Sequence, residues 1–163
     1  MARQWIGSSG TDMDLVIGVG NTLRRDDGLG PFIVNSLPPI DGVLTLAVHQ
    51  LTADLIEQVS RAKRVLFIDA STVDEPIKVK RITEHSASLG HVFGPAALLN
   101  LAKGIHGSAP EGWLLPVSGY DFDFGEELSP KAAAVVPTAK AVVLNWIYDG
   151  EEHSSSPCSD DVE

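Results

Sequence analysis

Leu15-Val16-Ile17-Gly18-Val19-Gly20 is the stretch on which the fold turns. It is a short, unbroken apolar run closed by glycines. That pattern reads as a parallel strand, buried on both faces, entering a tight turn. Past the turn, Gly28 to Leu37 places apolar side chains at Leu29, Phe32, Ile33 and Leu37, the spacing of a helix packed by one face. Pro38-Pro39 stops it. A second strand follows at Val43–Val48. Thr52–Val59 then reads as a short helix, with Thr52 as its cap and Leu55, Ile56 and Val59 facing inward.

The same alternation continues outward from this unit. Arg64-Val65-Leu66-Phe67-Ile68-Asp69 is another buried strand. Ile77 to Ile82 interleaves apolar residues with Lys78 and Lys80, as a half-exposed edge strand does. Pro95 to Ala102 is an apolar helix opened by proline, and Trp113–Val117 is a further strand. A last helix starts at Ser129 or Pro130 and runs through Val143 and Trp146, with Pro137 kinking or breaking it. Strands alternating with helices predict an α/β fold. It takes the form of a three-layer α/β/α sandwich around a largely parallel twisted sheet, with one antiparallel edge strand.

A chain of 163 residues fits a single domain and can bury a core without disulfides or a structural metal. Its net charge of −10 argues against nucleic acid and anionic membrane surfaces as partners. The acidity is uneven. Residues 1–148 hold 12 basic and 16 acidic side chains, whereas residues 149–163 hold six acidic and none basic. The expected division is one domain over 1–148 and an acidic, disordered tail over 149–163. Cys158 is the lone cysteine, so no internal disulfide exists. No apolar run approaches the length of about 18 residues that a membrane span needs, and the start lacks the apolar core of a signal peptide. The expected compartment is the cytoplasm.

In open α/β sheets, ligands bind outside the carboxyl ends of the strands. Asp26 and Asp27 follow the first strand, and Asp69 ends the strand at 64–69. A carboxylate held there is rigid and suits a metal, although such residues also cap helices and form turns. Gly18-Val19-Gly20-Asn21 invites a nucleotide reading, but the dinucleotide pattern needs glycine where Leu23 stands, and no Gly-Lys-Ser/Thr follows. Of five histidines, His91 leads into the helix at Pro95, and His49, closing the second strand, is its rival. The motifs of zinc ribbons, zincins and α/β-hydrolases are missing.

Taken together, these residues resemble the hydrogenase maturation endopeptidases, which trim the C-terminus of the large subunit of nickel–iron hydrogenases. IGVGNTLRRDDGLGPFIV resembles the family's opening motif, G-x-G-N-x-L-x-x-D-D/E-x-x-G, at every fixed position. VLFIDAS is similar to its second motif and HVFGPAALLNLA to its third. VSGYDFDFGEELSPKAAAVVPTA resembles the ending. The likeness spans residues 14–147.

The resemblance implies that Asp27, Asp69 and His91 form the metal-binding and catalytic set. It also implies that Asn21 either positions substrate or steadies its turn. The family admits glutamate where Asp27 stands, one methylene longer. The implied metal is nickel, delivered by the precursor of the hydrogenase large subunit, so that only a loaded precursor is cut. Two carboxylates and an imidazole leave coordination positions open, as such a role requires. The metal would act as a Lewis acid or as a template, and either carboxylate would serve as general base. A monomer is expected, with neither nucleic acid nor membrane as partner. Two rival readings remain: an assembly factor that binds nickel or the large subunit without cutting, and a nucleotide- or phosphate-binding module. Against the latter, Asp26 and Asp27 would repel phosphate.

Overall fold

The computed structural model describes residues 13–83 and 93–152. Five strands form one sheet: β1 (Asp14–Val19), β2 (Val43–Val48), β3 (Arg64–Ser71), β4 (Lys80–Arg81) and β5 (Glu111–Ser118). Their order is β2-β1-β3-β5-β4. The first four in that order run parallel, and β4 joins β5 antiparallel at the edge. The helices are α1 (Leu29–Ser36), α2 (Ile56–Arg61), α3 (Pro95–His106) and α4 (Pro130–Glu152).

The two-residue period of the strands sorts their side chains into two cores. Val16, Leu66, Ile68, Leu115 and Val117 face α1 and α4. Leu15, Ile17, Val65 and Phe67 face α2 and α3. Strands apolar on both faces must be covered on both, and the result is the expected α/β/α sandwich.

Three expectations need correction. The edge strand over 77–82 contracts to Lys80–Arg81, which pair with Leu114 and Trp113. The alternation around them is still real: Ile77 and Val79 pack with the α4 core, and Ile82 with the α3 core. Thr52 stands at the cap position of a 3-10 turn at Ala53–Leu55, but its side chain makes no capping bond. The last helix starts at Pro130, as expected, but does not break at Pro137. It runs through Pro137 to Glu152. Ser129 opens it, its hydroxyl accepting from the Ala132 N–H at 3.2 Å. No helix among the described residues is long and apolar enough to cross a membrane. His85, His91 and residues 153–163 lie outside the described residues.

Two glycines of the opening motif set how closely α1 lies on the sheet. A Cβ on Gly18 would stand 2.2 Å from the Gly30 carbonyl oxygen, and one on Gly30 would stand 2.4 Å from that of Ile68. Backbone therefore rests directly on backbone. The helix entry is drawn down onto the carboxyl ends of β1 and β3.

Candidate active site

After β1 the chain turns to α1 and β2 on one side, and after β2 it crosses to β3 on the other. The connections thus diverge between β1 and β3, where an open sheet forms its ligand crevice. In register, Val19 at the end of β1 stands beside Asp69 in β3.

The β1–α1 loop is closed by its own bonds. The Asn21 side-chain oxygen accepts from the Leu23 N–H at 3.0 Å, an Asx turn. The Asn21 N–H donates to Asp27 Oδ2 at 2.9 Å. Gly20, at φ 151, lies so close beneath Asp27 that a Cβ there would sit 1.8 Å from the Asp27 carbonyl oxygen. Asn21 therefore forms the turn and also fixes the acid across it.

Asp26 and Asp27, adjacent in sequence, have opposite fates. Asp26 is fully buried. Its carboxylate accepts four hydrogen bonds: from the N–H groups of Tyr120 (2.7 Å), Asp121 (2.9 Å) and Ser129 (2.8 Å), and from the Ser129 hydroxyl (2.7 Å). Burial pushes this carboxyl up, but the bonds from Ser129, Tyr120 and Asp121 together outweigh it and hold it below the ordinary aspartate value. Asp26 ties the β1–α1 loop to the segment before α4, with both carboxylate oxygens engaged and no exposure to the crevice.

Asp27 is half-buried and faces Asp69. Burial first, and then the charge of Asp27, push the Asp69 carboxyl up to about 6, against one opposing bond from the Ala70 N–H. Two carboxylates held at like charge in a partly dry crevice form a pair that a divalent cation would satisfy. Among the described residues no group of three His, Cys, Asp or Glu is placed to hold a metal. The described chain thus brings two of the three expected ligands together, and the third, His91, lies outside it. His49, its rival, is exposed in the turn after β2.

Ser129 and Gly119 are the supporting residues that sequence reasoning passed over. A Cβ on Gly119 would stand 2.9 Å from Cβ of Asp26, so only glycine lets the β5 loop reach that carboxylate. The Ser-Pro pair before α4 was legible as a helix start, but its bond to Asp26, 103 positions away, was not. A groove of about 920 Å³, lined by Arg64, Trp113, Val142 and Trp146 among others, opens at the amino ends of the strands. It is remote from the acidic pair, so volume does not mark the chemistry here.

No protein-family model matches the sequence, and no curated protein is significantly similar to it. Solved structures do match. The hydrogenase maturating endopeptidase HybD from E. coli aligns at a TM-score of 0.71 and 22% identity, covering 85% of this chain and 93% of that one. The nickel–iron hydrogenase maturation protease HybD from Thermococcus kodakarensis aligns at 0.63 and 22%, covering 82% and 98%. The hydrogenase 2 maturation peptidase from Thaumarchaeota archaeon SCGC_AB-539-E09 aligns at 0.58 and 24%, covering 83% and 97%. Over nearly its whole described length, then, the chain has the fold of the hydrogenase maturation endopeptidases.

Proposed function

We propose that this protein is an endopeptidase that removes a C-terminal peptide from the nickel-loaded precursor of a nickel–iron hydrogenase large subunit. The observation that carries this reading is the facing pair Asp27 and Asp69 at the switch point of that fold. The opening motif agrees with it, because each fixed residue but Leu23 has a physical task in the described fold. Gly18 and Gly30 seat the helix, Gly20 and Asn21 shape the turn, Asp26 anchors it, and Asp27 is the acid left free to act.

Nickel is part of the substrate in this scheme. Asp27, Asp69 and His91 would take it as an O, O, N set that leaves positions for groups of the precursor. Nickel supplies Lewis acidity and fixes the register of the chain to be cut. Either carboxylate, through an oxygen the nickel leaves free, would take the proton of the attacking water. The water oxygen bonds to the scissile carbonyl carbon, the C–N bond breaks, and the proton passes to the departing amine. Asp27, restrained by the Asn21 N–H, keeps its geometry throughout. We place the reaction in the cytoplasm, consistent with one cysteine in the chain, and the enzyme as a monomer, whose active edge stays free for a transient substrate.

The test is a processing assay on nickel-loaded and nickel-free precursor with wild type, Asp27→Ala, Asp69→Ala and His91→Ala. Cleavage of the loaded precursor alone, lost in each variant, is expected. Equal cleavage of both precursors would remove the nickel requirement. No cleavage by folded protein, with binding retained, would leave an assembly factor in place of an enzyme.

A further inference from the structure

The loop that holds Asp27 and the segment after β5 each present an exposed apolar side chain. The loop tip is zipped to that segment: the Gly125 N–H donates to the Leu23 carbonyl at 2.9 Å, and the Arg25 N–H donates to the Gly125 carbonyl at 2.9 Å. Arg25 takes a left-handed conformation, φ 44, to make this join. The two side chains presented beside it are Leu23, 57% exposed, and Phe124, 80% exposed. The Arg24 guanidinium lies 4.9 Å over the Phe124 ring. Single exposed apolar residues are ordinary on any surface. Here two sit on adjoining loops whose backbones are bonded to each other and to the buried Asp26 carboxylate. Neither side chain contributes to those bonds, so the fold does not need them apolar. Around them, Asp123, Glu126 and Glu127 are exposed, against one exposed base, Arg24 on the ring itself, while Arg25 is half-buried beside Asp121.

Resting on the function proposed above, we infer that Leu23 and Phe124 form the docking knuckle for the precursor, and that it seats a surface where an apolar side chain is flanked by lysine or arginine. Leu23 lies four residues before Asp27 on the same loop, so a precursor held at the acidic pair would have the knuckle beside it. The three exposed acids outnumber Arg24 and favour a basic surround, and a preformed loop loses little entropy on binding. An aromatic anchor in an acidic rim is the composition of an interface centre. The knuckle sets affinity for the precursor and leaves the bond-breaking step to Asp27 and Asp69.

The experiment compares wild type, Phe124→Ser, Leu23→Ser and Glu126→Lys/Glu127→Lys in cleavage of nickel-loaded precursor. Binding of the same precursor is measured in parallel by interferometry, and oligomeric state by light scattering. Each serine variant is expected to raise KM and weaken binding about tenfold, with kcat within about twofold and an unchanged melting curve. The double charge reversal is expected to weaken binding and to abolish its loss at high salt. Binding that weakens in these variants supports the knuckle even if wild type fails to cut, an outcome that would overturn only the protease reading. Unchanged KM and affinity in a cleaving system would overturn the knuckle alone, as would a wild-type dimer that Phe124→Ser dissociates without changing KM. Wild type that neither binds nor cuts the precursor would overturn both.

Discussion

Replacing Asp26 by asparagine separates the roles of two adjacent acids. The wild-type carboxylate satisfies three backbone N–H groups and one hydroxyl across a sequence gap of about a hundred residues. Asparagine keeps one acceptor oxygen, enough for the Ser129 N–H. The Ser129 hydroxyl can reverse and accept from the new amide. The N–H groups of Tyr120 and Asp121 then face an amide nitrogen and lose their acceptor. Leaving a buried donor unpaired costs about 1–3 kcal/mol. Tyr120 and Asp121 are close enough to solvent for water to recover part of this, so the expected loss is about 2–4 kcal/mol. For a chain of this size that corresponds to a drop of about 5–15 °C in Tm.

The pH dependence carries a sign. The folded carboxyl lies below the unfolded value of 3.8, so its contribution is fully present above that pH and is lost as pH falls through the folded value. The gap between wild type and Asp26→Asn should therefore be constant from pH 5 to 8, by about this reasoning, and close in stronger acid. Asp27→Asn, by contrast, keeps an acceptor for the Asn21 N–H and removes a charge facing Asp69. It should melt within about 1 kcal/mol of wild type, or above it, while losing activity. Calorimetric melts of the three proteins across pH decide the matter. Equal melting of Asp26→Asn and wild type, or equal losses in both variants, would refute the division of labour.

Other perturbations follow from the same geometry. Asp69, raised to about 6 when folded, makes ionisation costly to the native state, so wild-type stability should fall as pH rises from about 4 through 6, by up to about 3 kcal/mol. Asp69→Asn should abolish that slope in denaturant titrations. Gly30→Ala puts a methyl 2.4 Å from the Ile68 carbonyl oxygen. It should cost about 3 kcal/mol in chemical denaturation and reduce processing further by lifting Asp27 from Asp69. Arg64 pairs with Asp14, donates to the carbonyls of Trp146 (3.0 Å) and Ile147 (3.2 Å), and stacks on Trp146 at 4.1 Å. Arg64→Ala should therefore lower stability by about 3 kcal/mol while leaving kcat unchanged at a temperature where it remains folded.

The sequence by itself determined the layers and the place of the site. Runs apolar on both faces, such as 65–68, require helices on both sides, and the two-residue period decided which side chain met which helix. The glycines of the opening motif were legible as a tight turn because no other residue tolerates that approach. The resemblance singled out Asp27 of two neighbouring aspartates, but the physical reason for the choice lies in the tertiary structure. Their local sequence is nearly equivalent, and the choice is made by donors at 120, 121 and 129 that reach Asp26 only once β5 lies beside β3. The same holds for Asp69, whose carboxyl is raised first by its burial and then by the charge of Asp27, 42 positions earlier and brought near by backbone contact at Gly18 and Gly30. Periodicity is a local property and sets faces. The charge environment of a carboxylate is set by whatever the packed chain brings within a few ångströms, and no local pattern encodes that.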